Sequence, residues 1–169
     1  RKYTYGNPFC TDAVVKDMAA ETQTLPYLQK AEQDGRLIFS CSLGEKDLVY
    51  GLGENVRGIN KRGWLYRSCC ADEPNHLEDR HSLYASHNFL VIAGETTFGV
   101  FFDYPGIISF DVGYTHMDEL VITLEEPDAD VYILEGSDIR QIVKEFRGLI
   151  GRSYIPPDGI RIPAEPLGL

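Results

Sequence analysis

From Arg36 to Gly136 the chain is a run of short apolar segments, and the run opens on one in which apolar side chains recur at every second position. That period limits the fold more than any other feature. In "RLIFSCSL" (36–43), Leu37, Phe39, Cys41 and Leu43 share one face of an extended strand. "DLVYGLG" (47–53) follows after the turn "GEK", a pattern that predicts a hairpin. Similar segments are "WLYRSC" (64–69), "HNFLVIA" (87–93), "TFGVFFDY" (97–104), "IISFDVGY" (107–114), "ELVITLE" (119–125) and "ADVYILEG" (129–136). They are rich in Val, Ile, Phe and Tyr, and their connections carry Gly, Pro, Asp and Glu. "AGET" (93–96) and "PG" (105–106) are tight links. Seven or eight short strands so spaced predict an all-β, mainly antiparallel sandwich rather than βαβ units.

One helix is expected to close the domain. In "SDIRQIVKEFRGLIG" (137–151), Ile139, Ile142, Val143 and Phe146 follow the i, i+3, i+4, i+7 spacing. Ser137 or Asp138 can cap its start, and Gly148 or Gly151 can end it. Residues 12–33 are mixed: Val14, Val15, Met18 and Ala19 could form a short helical stripe capped by Thr11 or Asp12 and ended by Pro26. An extended segment is the alternative. The domain is therefore placed at 1–151. The tail "RSYIPPDGIRIPAEPLGL" (152–169), with four prolines and two glycines, reads as a linker leaving it.

At 169 residues the chain is long enough for one well-buried domain and short for two. Its net charge is −10, from 26 acids against 16 Lys and Arg, which argues against nucleic acid as a partner. No apolar run approaches the ~20 residues that cross a bilayer, so no membrane partner is expected. "RKYTYGNPFC" has no continuous apolar stretch resembling a secretion signal. Cys10, Cys41, Cys69 and Cys70 are scattered, with two adjacent, and fit reduced thiols in a cytoplasmic protein better than a disulfide framework.

Chemistry concentrates in "SCCADEPNH" (68–76) and the residues after it. Cys69, Cys70, His76 and His81 are zinc-type ligands, but adjacent cysteines on a strand point to opposite faces, so no metal is expected. A Cys–His nucleophile pair would need a base within hydrogen-bond reach, which adjacency in sequence does not supply. Asp72, Glu73, Glu78 and Asp79 lie in a stretch too polar for a core, and sugar hydrolysis needs two carboxylates, yet any acidic loop offers such a pair. In "YGLGEN" (50–55), Gly51 and Gly53 give G-x-G, but Val56 stands where a dinucleotide fingerprint has its third glycine. Those glycines instead fit a bend or close backbone approach at a strand end. Trp64 and the tyrosines read as core and rim. No cofactor is implied.

The order of segments resembles the N-terminal domain of glycoside hydrolase family 31, the α-glucosidases and α-xylosidases. The matching stretches are "YGLGE" (50–54), "INKRGWLYRSCCAD" (59–72), "SLYASHNFLV" (82–91), "TFGVFFDYP" (97–105) and "DVYILEGSDIRQIVKEFRGLIGRSYIPP" (130–157). They look most like bacterial members of the α-glucosidase branch. The resemblance implies a galactose-mutarotase-like β-sandwich packed against a catalytic (β/α)₈ barrel, and a parent enzyme that is a retaining glycosidase acting on oligosaccharides. The two catalytic carboxylates of the family belong to that barrel. The W-x-D-M-N-E type nucleophile motif is absent here, and the 12 residues after Pro157 cannot build a barrel of ~250 residues. The chain is thus expected to be a piece of the enzyme, inactive alone. Residues 158–169 depart from the family's pattern and are candidates for non-native sequence.

Family members commonly carry W-N-x-D or a close variant where this chain has "SCCAD" (68–72), so Asp72 matches the acid that reaches into the barrel's active-site mouth and bonds sugar hydroxyls. Asp72 is the expected substrate-binding residue, and no catalytic residue is expected in the chain. Two other readings remain: a free-standing carbohydrate-binding module, and a purely structural domain in which Asp72 does nothing.

Overall fold

The computed structural model describes residues 1–154. It contains ten strands and one helix: β1 (Lys2–Tyr5), β2 (Gln29–Gln33), β3 (Arg36–Ser42), β4 (Leu48–Gly53), β5 (Trp64–Ser68), β6 (Ser86–Ala93), β7 (Phe98–Asp103), β8 (Ile108–Val112), β9 (Glu119–Leu124), β10 (Ala129–Glu135) and α1 (Ile139–Ile150). Two five-stranded antiparallel sheets stack as a sandwich, one in the order β1-β10-β7-β6-β4 and the other β2-β3-β9-β8-β5. The expected all-β fold with a terminal helix is the one observed.

Two cores hold it. Between the sheets, Leu37, Phe39, Val49, Phe102, Phe110, Ile122 and Val131 are fully or almost fully buried. Phe39 and Phe102 meet with centroids 5.4 Å apart, tilted by 53°, within the range aromatic pairs prefer. The second core lies on the outer face of the first sheet, where Phe89, Val91, Phe101, Tyr132 and Leu134 receive Ile142, Phe146 and Leu149 of α1. The two faces explain the strand patterns. β6, β7 and β10 are covered on both sides, so they read as nearly continuous apolar runs. β8 and β9 are covered on one side only and alternate.

α1 is capped by Asp138, whose Oδ1 accepts the Gln141 N–H at 2.9 Å, and it ends at Gly151. Both ends resolve a choice the sequence left open.

The hairpin expected from 36–53 does not form. β3 pairs with β2 and β9 in one sheet, while β4 pairs with β6 in the other. The turn at Gly44–Asp47, closed by Asp47 N–H to Gly44 O at 3.1 Å, carries the chain across the core instead. Leu37 and Phe39 can then face Val49 and Leu52 through the sandwich, burying both sets. Pro105–Gly106 likewise passes from β7 in one sheet to β8 in the other, whereas 93–96 closes a true β6–β7 hairpin. A further hairpin joins β2 to β3 through Asp34–Gly35, both at positive φ (52° and 74°), a pairing suited to a tight turn.

The short helix considered at the start of 12–33, on Val14, Val15, Met18 and Ala19, is also absent, and those residues have no regular secondary structure. Asp12 sits at φ 57°, Val15 N–H donates to Leu149 O at 3.0 Å, and Val14 and Met18 pack on the second core. Tertiary contact with α1 outweighs the weak helical stripe. The proposed tail lies mostly outside the described residues, and so does everything from 158 onward.

Candidate functional site

The polar loop at 69–85 connects β5 in one sheet to β6 in the other. Its two legs are joined near the sandwich. Arg67 N–H donates to His81 O at 3.0 Å and Ala71 N–H to Leu83 O at 2.9 Å; the Ser82 hydroxyl donates to Cys69 O. Leu83 is buried beneath them. Where these bonds end, at Ala71, the chain departs into solvent, and the next residue is Asp72.

Asp72 is exposed. Among the described residues its carboxylate makes no hydrogen bond or ion pair, and the same is true of the Glu78 carboxylate. Glu73, by contrast, is half-buried and engaged: its Oε1 accepts Asn75 N–H at 2.9 Å, and its Oε2 lies 3.2 Å from Arg80 Nε. The Arg80 nitrogen has no hydrogen-bond geometry towards a partner, so the contact with Glu73 is Coulombic. Asp79 lies at the edge of that ion pair, 4.0 Å from the same nitrogen. The four acids of the stretch are therefore not equivalent, and Asp72 is held between a zipped residue and an anchored one with both oxygens open.

The metal and nucleophile readings gain no geometry. His81 Nδ1 lies 3.0 Å from Leu65 O, and His76 meets Tyr84 edge-on at 5.6 Å. Among the described residues, no group of three or more His, Cys, Asp and Glu side chains is placed to hold a metal ion. Cys69 is half-buried and Cys70 exposed, and both line a groove of about 540 Å³ at the base of the loop, with Ser68, His87, Asn88 and Tyr104.

"YGLGEN" shapes the strand end beside this loop. Gly51 and Gly53 have φ of +117° and +76°, and Leu52 between them is at +67°. A Cβ on Gly51 would stand 2.3 Å from Phe89 O, and one on Gly53 2.3 Å from Ala85 O. The β4–β6 register shifts between these glycines, and Glu54 N–H then donates to Ala85 O at 2.6 Å. The close backbone approach read from the sequence is the role they play.

Two residues that sequence reasoning passed over lie behind the loop. Arg57 and Lys61, in the β4–β5 connection, are 9% and 6% exposed. Arg57 Nε donates to Glu78 O at 2.6 Å and Nη1 to Leu65 O at 2.7 Å. Its guanidinium carbon lies 4.1 Å from the Trp64 ring centroid and 5.3 Å from that of Tyr66. Lys61 donates to Asn55 Oδ1 at 2.5 Å and to Gly58 O at 3.0 Å. Burial, reinforced by the nearby Arg57 charge, pulls the Lys61 pKa down. "ENVRGINKRG" (54–63) reads locally as a solvated turn, and no nearby pattern marks its cations as buried.

Residues 5–111 match the glycosyl hydrolase 31 N-terminal galactose mutarotase-like domain. The chain belongs to that family. It is 26% identical over 127 residues to an α-glucosidase of Saccharolobus solfataricus, an alignment covering 75% of this chain and 18% of the relative. It is 23% identical over 158 residues to an α-xylosidase of Lactiplantibacillus pentosus, covering 89% of this chain and 20% of that one. The chain thus spans about a fifth of the curated relatives it matches. Among solved structures, a family 31 dextranase of Flavobacterium johnsoniae complexed with isomaltotriose superposes with a TM-score of 0.66 at 24% identity, over 76% of this chain and 16% of the dextranase. A cycloalternan-degrading enzyme of Trueperella pyogenes in complex with isomaltose gives 0.65 at 20% identity, over 72% and 18%. These likenesses establish the fold, a family 31 N-terminal sandwich. Members of the family are glycoside hydrolases, and no helix among the described residues is long and apolar enough to cross a membrane.

Proposed function

We propose that this sandwich serves a retaining α-glucosidase that releases terminal α-linked glucose from oligosaccharides, and that it contributes a specificity contact and packing support to the enzyme's own catalytic barrel. The observation that carries the reading is the Asp72 carboxylate, unengaged and exposed at the point where the zipped legs of the 69–85 loop part. A carboxylate with both oxygens open accepts hydrogen bonds from two vicinal sugar hydroxyls. The acid/base and nucleophile carboxylates of a retaining mechanism, ~5 Å apart, would come from the barrel. Asp72 would then act on binding and linkage preference rather than on the chemical step. The free thiols suit a reducing, cytoplasmic compartment.

A parent α-xylosidase is the second reading, favoured by the longer alignment with the α-xylosidase relative. Glucose and xylose differ at the hydroxymethyl group, so the ratio of kcat/KM for aryl α-glucoside and aryl α-xyloside in the full-length protein separates the two.

Calorimetric titration of the isolated chain with maltose and isomaltose tests whether the sandwich binds sugar unaided. Flat titrations are expected of a domain that supplies one contact to a site completed elsewhere. Saturable heat would favour a free-standing carbohydrate-binding module. Asp72→Ala in the full-length protein tests the contact itself, and unaltered kinetics would favour a purely structural domain.

A further inference from the structure

We propose that Arg57 is a positioning residue that sets where Asp72 stands, by clamping the outer limb of the 69–85 loop to the end of the second sheet; the proposal rests on the reading of Asp72 as a substrate contact. Arg57 is buried, yet among the described residues no carboxylate pairs with it or with Lys61. An uncompensated buried cation is costly, so the groups that do hold it matter. For Arg57 these are two backbone carbonyls and two aromatic faces. Nη1 bonds Leu65 O, a fixed point on β5, while Nε bonds Glu78 O, on the outer limb of the loop. Trp64 and Tyr66, two apart on β5, both bring a ring within cation–π reach of the guanidinium. A planar fork can span a strand and a loop at once in this way, and a Lys ammonium cannot reproduce it.

From Glu78 the restraint passes to Asp72 through contacts already described. Arg80 N–H donates to Leu77 O at 3.1 Å and Leu77 N–H to Asn75 O at 2.8 Å, closing the turn that contains Glu78. Arg80 faces Glu73 across 3.2 Å, and Glu73 adjoins Asp72. On the other side, Ala71 is fixed by Leu83 O. Asp72 is thus restrained on one flank by the β5–loop zipper and on the other by the chain of contacts that starts at Arg57. The acceptor at Glu78 is its carbonyl, so the clamp does not depend on the side chain at position 78.

Hydrogen exchange and kinetics on the full-length protein test this together. In Arg57→Met, the amides of Leu77 and Arg80 should exchange about tenfold faster while those of β3 and β9 stay within about twofold of the parent. Glu78→Ala should leave the same loop amides protected. Arg57→Lys, which keeps the charge but loses the planar fork, should fall between, and it carries the test if Arg57→Met does not fold. In disaccharide hydrolysis Arg57→Met should raise KM about five- to tenfold with kcat little changed, and adding it to Asp72→Ala should produce no further rise, because the two act through one contact. Uniform loosening of loop and core, or no loosening in either Arg57 variant, would overturn the clamp. A raised KM in Asp72→Ala with a fully additive loss in the double variant would overturn the positioning role and leave the contact reading intact. An unchanged KM in Asp72→Ala would overturn the contact reading on which the proposal stands.

Discussion

Phe89 on β6 and Phe146 on α1 stack with ring centroids 3.9 Å apart and planes only 6° from parallel. Phe101 meets the same helix ring at 5.3 Å, tilted by 60°. Phe146 is thus the aromatic anchor of α1 on the sheet, beside Ile142 and Leu149. Truncating it to Ala removes the ring and opens a cavity between helix and sheet, with an expected loss of about 3–5 kcal/mol in urea unfolding. Val143, on the open side of the same helix, is the comparison: Val143→Ala should cost less than about 1 kcal/mol. Equal losses from the two variants would mean that the helix does not bind through this stack.

Gly51→Ala and Gly53→Ala should each destabilise the chain by more than about 2 kcal/mol, measured as a shift in denaturant midpoint. Each adds a positive-φ penalty to a steric one, because the new Cβ would fall 2.3 Å from a backbone oxygen of the β6 edge or its approach. Backbone atoms of a paired strand cannot swing aside as a side-chain tip can. A loss under about 1 kcal/mol at both positions would show that the register shift there is not fixed by these residues.

Burial pushes the Cys41 thiol from its ordinary 9.0 up to about 12, with the Asp47 and Glu119 carboxylates acting in the same direction. The folded chain keeps this proton over a range where the unfolded chain releases it. Its contribution to stability is therefore fully present below about pH 9 and is lost as pH rises towards 12. Cys41→Val should shrink the fall in denaturant midpoint between about pH 8 and about pH 11. Burial also raises the Tyr66, Tyr104 and Tyr132 phenols, so the comparison with the variant isolates the thiol. At neutral pH, iodoacetamide should modify the exposed Cys10 and Cys70 well before Cys41.

The legibility of this fold in its sequence follows burial. β8 and β9 show clean alternation because one face is covered, and β6, β7 and β10 show apolar runs because both are; either signal is enough to find a strand. β2, "QKAEQ", is exposed along its whole length and holds its place by pairing with β3, so its side chains carry no trace of a strand. Pairing was harder to read than existence. Nothing local in Leu37, Phe39, Val49 or Leu52 distinguishes neighbours in one sheet from partners across a core, and only burial of both sets decides it. Similarly, Asp72 came from the resemblance of "SCCAD" to a family pattern, whereas Arg57 depends on Leu65 O and Glu78 O meeting in space, a juxtaposition with no counterpart in the order of residues.

The measurement that bears most directly on the functional account is kcat/KM of the full-length protein and its Asp72→Ala variant over a panel of α-linked disaccharides including maltose and isomaltose. Hydrogen bonds to a charged acceptor contribute about 1.5–3 kcal/mol, so the account predicts a loss of roughly ten- to hundredfold, carried by KM and unequal between linkages. An Asp72→Ala enzyme with kcat/KM unchanged for every disaccharide would contradict it.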